Sequence, residues 1–167
     1  DGTSSGTFRV ADIRSGTSSS SPADFFYRNG TLYFSATDGT SRTLWKSDGT
    51  ANGTSQVLGS LGGTIPGPAK PVPLGNVLYI DADDGIWRTD GTPAGTFNTG
   101  LSGSNLAVVG SYLYFARLNS GKYELCKSDG TVAGTSVVFW SWQSWSGLPS
   151  NLTVVDGYLF FDAMWYG

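Results

Sequence analysis

The chain has 167 residues, a formal net charge of −3 and a pI near 4.6. Its 10 Lys and Arg residues stand singly along the chain. That excludes nucleic acid as the main partner and polybasic membrane attachment, both of which need clustered cations. With no His and one cysteine, Cys126, it has neither a zinc ligand set nor an intrachain disulfide, and no run approaches the roughly 20 apolar residues of a membrane span.

Twenty-four glycines, 14% aromatic and 14% charged residues favour short strands and tight turns over a helical bundle. Asp1 opens in mid-repeat without a Met, as a mature or excised piece of a longer protein would. Residues 8–13 form the first strand-like run, and the Ser-rich stretch 17–22 reads as a surface loop or an O-glycosylation target. Runs 23–27 and 32–36 flank Asn29-Gly30, a dipeptide preferred by two-residue hairpins, and run 43–46 follows. The series then recurs. After Asp48 come 55–58, 70–74, a Gly75-Asn76 turn, 77–82 and 86–88. After Asp90 come 97–99, 106–109, a Gly110-Ser111 turn, 112–116 and 123–127. After Asp129 come 136–139, 152–155, an Asp156-Gly157 turn and 158–163. Short blocks of aromatic and branched residues favour strand.

Four copies of Asp-Gly-Thr-x-x-Gly-Thr, beginning at Asp1, Asp48, Asp90 and Asp129, set the period near 40 residues. That period with strand-like content is the mark of a repeat architecture of the propeller kind. The expected fold is all-β, a β-propeller-like repeat of four four-stranded antiparallel units, closed in cis or completed by a neighbouring copy. Residues 1–167 make a single repeat domain with units 1–47, 48–89, 90–128 and 129–167. The first run of each unit is expected to pair with the fourth run before it. In each Leu-Trp pair the two side chains face opposite sides of the strand, so one can seal against a neighbouring sheet.

Leu44-Trp45-Lys46-Ser47-Asp48-Gly49-Thr50, Ile86-Trp87-Arg88-Thr89-Asp90-Gly91-Thr92 and Glu124-Leu125-Cys126-Lys127-Ser128-Asp129-Gly130-Thr131 resemble the bacterial ELWxxDGT repeat. The resemblance covers the whole chain; the third copy alone keeps the Glu and puts Cys126 in place of Trp. It implies secreted or cell-surface proteins with propeller-like folds, and it implies no activity or functional residues. Met164-Trp165-Tyr166-Gly167 sets against Ile86-Trp87-Arg88-Thr89, and Asp1-Gly2-Thr3 continues the phase. Joining these ends would close a ring within one molecule or link copies head to tail, and either removes two open sheet edges.

Without His there is no Ser-His or Cys-His pair. Asp81, Asp83 and Asp84 are the candidates for a carboxylate or metal site, set against ordinary turn chemistry. The repeated Asp1, Asp48, Asp90 and Asp129 read as structural corners that accept backbone N–H groups, with a ligand site in each unit as the alternative. Trp140, Trp142 and Trp145 depart from the repeat plan. They suit packing against a neighbouring copy or parent domain, stacking on sugar rings, or the core. Asn29, Asn52 and Asn151 match the glycosylation acceptor pattern, and Asn29 and Asn52 also fit expected turns. Cys126 is expected to be a small buried thiol.

The expected function is a non-catalytic extracellular or cell-surface scaffold or adhesive module, with no cofactor, that associates with itself or with parent-protein repeats. The alternatives are a glycan-binding lectin using the tryptophans and a head-to-tail filament subunit; a carboxylate glycosidase stands further off.

Overall fold

The computed structural model describes residues 2–59, 63–69, 71–142 and 147–163, with Trp142 described in its backbone only. Among the described residues there is no helix, and the strands form four antiparallel sheets. The first sheet is β1 (Ala23–Arg28), β2 (Thr31–Thr37), β3 (Arg42–Ser47) and β4 (Ser55–Gln56). The second is β5 (Val72–Leu74), β6 (Val77–Ala82), β7 (Gly85–Thr89) and β8 (Phe97–Leu101). The third is β9 (Ser104–Val109), β10 (Tyr112–Asn119), β11 (Lys122–Ser128) and β12 (Ser136–Trp142). The fourth pairs β13 (Ser150–Val155) with β14 (Tyr158–Asp162).

Each four-stranded sheet takes its last strand from the following repeat unit. Trp45 pairs with Gln56, Trp87 with Asn98 and Leu125 with Phe139. The sheets therefore straddle the unit boundaries, as the pairing of first and fourth runs requires. Two expectations are corrected. Residues 8–13 are not a strand: they run as irregular chain beside the first sheet, and the C-terminal run expected to pair with them lies outside the described residues. And the fourth sheet shows two strands rather than four among the described residues, while Asp1 and residues 164–167, which carry the matched ends, lie outside them.

The hairpin turns follow their residues. Asn29 and Gly30 have φ of 49° and 80°, and Asp156 and Gly157 have 50° and 79°, the pair of positive values that a type I′ turn requires. Asp24, Asn105 and Asn151 take φ of 56°, 57° and 52° at the head of the leading strand of their sheets. At each of them the pairing register slips, between Ala23 and Phe26, between Tyr114 and Ala116, and between Ser150 and Thr153. Asp and Asn tolerate this left-handed region, so each bulge bends its strand at little cost.

The sheets pack in series. Tyr33 and Leu44 of the first sheet, with Val57 and Ile65 from the link, bury against Leu78, Ile80 and Ala82 of the second. The opposite face of the second sheet presents Tyr79, Ile86 and Leu101 to Leu113, Phe115 and Cys126 of the third. Phe139 of the third meets Phe161 of the fourth with ring centroids 5.6 Å apart. Period-two alternation explains this layering. Leu44 faces the next sheet and Trp87 faces the preceding one, so successive side chains of the Leu-Trp pair seal opposite interfaces. Burial of the apolar side chains at these interfaces contributes about 25 cal/mol per Å², and it is the main term holding one layer on the next.

Candidate functional site

The recurring corners share one hydrogen-bond network. Asp48 Oδ1 accepts from the Thr50 amide at 2.9 Å and from its hydroxyl at 2.7 Å. Asp90 and Asp129 accept from Thr92 and Thr131 at the same two distances. In turn the Thr92 hydroxyl accepts from the Gly95 amide, and Thr96 donates back to the Thr92 carbonyl at 2.6 Å. The second glycine of each phrase is fixed by this packing, since a Cβ at Gly53, Gly95 or Gly134 would overlap the Asp48, Asp90 or Asp129 carboxylate. Hydrogen bonds from the threonine hydroxyl, and then from its amide, hold all three carboxyls below the usual aspartate range. The Asp90 and Asp129 corners also meet the sheet before them. The Tyr33 hydroxyl closes on Gly91 and the Tyr79 hydroxyl on Gly130. Lys46 donates to the Gly91 carbonyl at 2.7 Å. Asp1 lies outside the described residues; its phrase shows Thr3 accepting from the Gly6 amide and Thr7 bonding back to Thr3.

Asp81, Asp83 and Asp84 do not converge. Asp81 accepts from the Asn105 amide of the third sheet at 3.2 Å, and burial raises its carboxyl, with the Asp83 charge adding to the rise. Asp83 packs against Gly67. Asp84 accepts from the Trp87 indole at 2.6 Å. No set of three metal-ligating side chains occurs among the described residues.

The far end of the β10–β11 hairpin carries a polar and aromatic platform. Strand alternation continues the Phe115–Cys126 face outward through Arg117, Asn119, Lys122, Glu124 and Trp140. Arg117 Nε donates to Glu124 at 2.7 Å, and Asn119 donates to the same carboxylate. Lys122 sets its ammonium 4.3 Å from the centre of the half-exposed Trp140 ring. The backbone of Trp142 lies opposite Lys122, and Trp145 lies outside the described residues. The Trp140 part of the cluster was legible as a break in the repeat. Arg117, Asn119 and Lys122 were not singled out, although counting in twos from Phe115 reaches Arg117 and Asn119.

A groove of about 870 Å³ lies over the outer face of the first sheet, lined by Phe25, Tyr27, Leu32, Phe34 and the Asp48-Gly49 corner, with the leading segment 9–20 forming its other wall. A second, of about 920 Å³, lies between the second and third sheets beside Tyr79, Phe97 and Asp129. Neither was read from sequence. Asn29, Asn52 and Asn151 are all exposed; Asn151 also donates to Asp162 at 2.5 Å. Cys126 is fully buried, and burial pushes its thiol up. Compared with protein-family models and with curated proteins, the chain matches none.

Proposed function

We propose that the chain is a non-catalytic repeat scaffold working outside the cell or on its surface, with its sheets serving as the blades of a propeller-type stack. One observation carries the reading. The same corner, built from the same hydrogen bonds, seats on the tyrosine of the preceding sheet at two successive interfaces, Tyr33 on Gly91 and Tyr79 on Gly130. The recurring polar side chains thereby shape the corner whose glycine meets the neighbouring layer. The three clustered carboxylates of the β6–β7 hairpin have separate structural partners. The resemblance to the ELWxxDGT repeat supports the extracellular setting. The test is adhesion of beads coated with the chain to cells and to extracellular polysaccharide. Retention above that of uncoated beads is expected. Retention no better than theirs on every surface overturns the reading, as does turnover of a chromogenic ester or glycoside that vanishes in Asp81→Asn.

A second reading, glycan binding, rests on the platform of the third sheet. An indole half open to solvent beside an amide, a carboxylate and two cations offers an apolar ring with polar edges, as sugar stacking needs. A glycan array tests it with wild type and Trp140→Ala; signal lost in the variant supports it, and no signal on any glycan removes it.

A further inference from the structure

The chain builds one kind of junction twice, each time from two halves. On the leading side of each junction, a β-strand tyrosine, Tyr33 or Tyr79, projects toward the next sheet. On the receiving side, a left-handed glycine, Gly91 or Gly130, with φ of 91° or 100°, leaves the space that the tyrosine hydroxyl fills. Lys46 to the Gly91 carbonyl and Arg28 to the Val77 carbonyl complete the first junction.

Both halves also recur without a mate among the described residues, the receiving half at Gly2 and at Gly49. Gly49 has the same conformation, φ of 92°, and nothing within 4 Å of its Cβ direction. Beside it lies the groove between the first sheet and residues 9–20, where Phe25 and Tyr27 are 52% and 69% exposed. At the other end, Phe160 occupies in β14 the place of Tyr33 in β2 and Tyr79 in β6. It shares a face with Thr153, Val155 and Tyr158 by cross-strand pairing. Tyr158 and Phe160 are 72% and 59% exposed. Two large aromatic rings on one outer sheet face form a contiguous apolar patch of the kind that marks a docking surface.

We infer that a second copy of this chain seats its Val155–Tyr158–Phe160 face in the groove of the first sheet, with Phe160 over the Gly49 corner. The interface is heterologous, because donor face and groove lie at opposite ends of one chain. It therefore propagates head to tail. The inference rests on the stacked-sheet reading and is independent of the adhesive role. Phe160 lacks the tyrosine hydroxyl, so this junction is held by apolar burial where the internal ones add a polar contact.

Sedimentation over a wide concentration range tests it, using wild type, Phe160→Asp and Phe25→Asp. Both substitutions fall on exposed side chains, and unchanged circular dichroism and melting temperature establish that each variant is folded. Wild type is expected to form a concentration-dependent ladder, and each variant alone a monomer. The decisive arm is the mixture. Phe160→Asp retains the groove and Phe25→Asp retains the donor face, so together they form a dimer that cannot grow. A wild-type chain that stays monomeric at millimolar concentration overturns the inference, whether its faces close on each other or stay open. A ladder that both variants retain overturns it too. Neither result touches the adhesion assay.

Discussion

Gly95→Ala isolates the logic of the corner. The added Cβ would overlap the Asp90 carboxylate, while the Gly95 backbone is outside the left-handed region and accepts alanine without strain. The carboxylate must swing away, and its bonds to the Thr92 amide and hydroxyl at 2.9 and 2.7 Å are lost or stretched. Each is worth about 1 kcal/mol net, and exposure of the carboxylate puts the pair at the low end, about 1–2 kcal/mol together. Replacing glycine by alanine stiffens the unfolded chain and returns about 0.4–1 kcal/mol. The net loss is about 1 kcal/mol, a fall in Tm of about 2–4 °C for a chain of this size. In an Asp90→Ala background the overlap is gone, and the same substitution should stabilise by about 0.5 kcal/mol. Urea unfolding of the four proteins, followed by tryptophan fluorescence, gives the coupling. Effects that add within about 0.3 kcal/mol would refute the argument, because the glycine would then owe nothing to the carboxylate.

The corner carboxyls titrate below the usual aspartate range, so their stabilisation is full above the unfolded value of about 3.9 and is lost as the pH falls through the lower folded value. Thr92→Val removes the larger cause at Asp90 and should lose less stability than wild type between pH 5 and acid; parallel acid limbs would contradict this. Arg117→Ala leaves the buried Glu124 without its cation and should cost about 3 kcal/mol in denaturant unfolding, whereas a cost below about 1 kcal/mol would mean that water solvates the carboxylate. Trp45 buries an indole N–H that finds no acceptor among the described residues, whereas the Trp87 N–H reaches Asp84. Trp87→Phe should therefore cost about 1 kcal/mol more than Trp45→Phe by the same assay, and equal costs would show that the Trp45 donor is bonded.

Much of the architecture was legible because local signals agreed. Aromatic blocks of about five residues, Asn29-Gly30 and Asp156-Gly157 between them, and the fixed phrase after each fourth run place the hairpins and the strand that crosses each unit boundary. The misses have physical causes. Residues 8–13 carry a strand pattern but run as irregular chain, and the run expected to pair with them lies outside the described residues. Asn105 and Asn151 stand just ahead of the expected runs and Asp24 inside one, yet all three sit in the paired region as bulges, because one positive φ lets the leading strand bend without breaking its ladder. Trp140 stood out against the repeat. The Arg117–Glu124 pair beside it depends on cross-strand register, which the order of residues along one strand does not contain. The groove over the first sheet likewise exists only once residues 9–20 lie beside that sheet.

The offset between repeat phrase and sheet has a consequence for how such a chain can grow or shrink. Cutting at successive Asp-Gly-Thr phrases separates β4, β8 or β12 from the layer it completes and leaves a raw edge on each fragment. Cutting in the links, ahead of Val72 and after Leu101, lifts out β5 through β8 as a finished layer and rejoins loop to loop. Duplications and deletions made in the links thus exchange whole layers, while those made at the most visible boundary in the text of the sequence exchange broken ones.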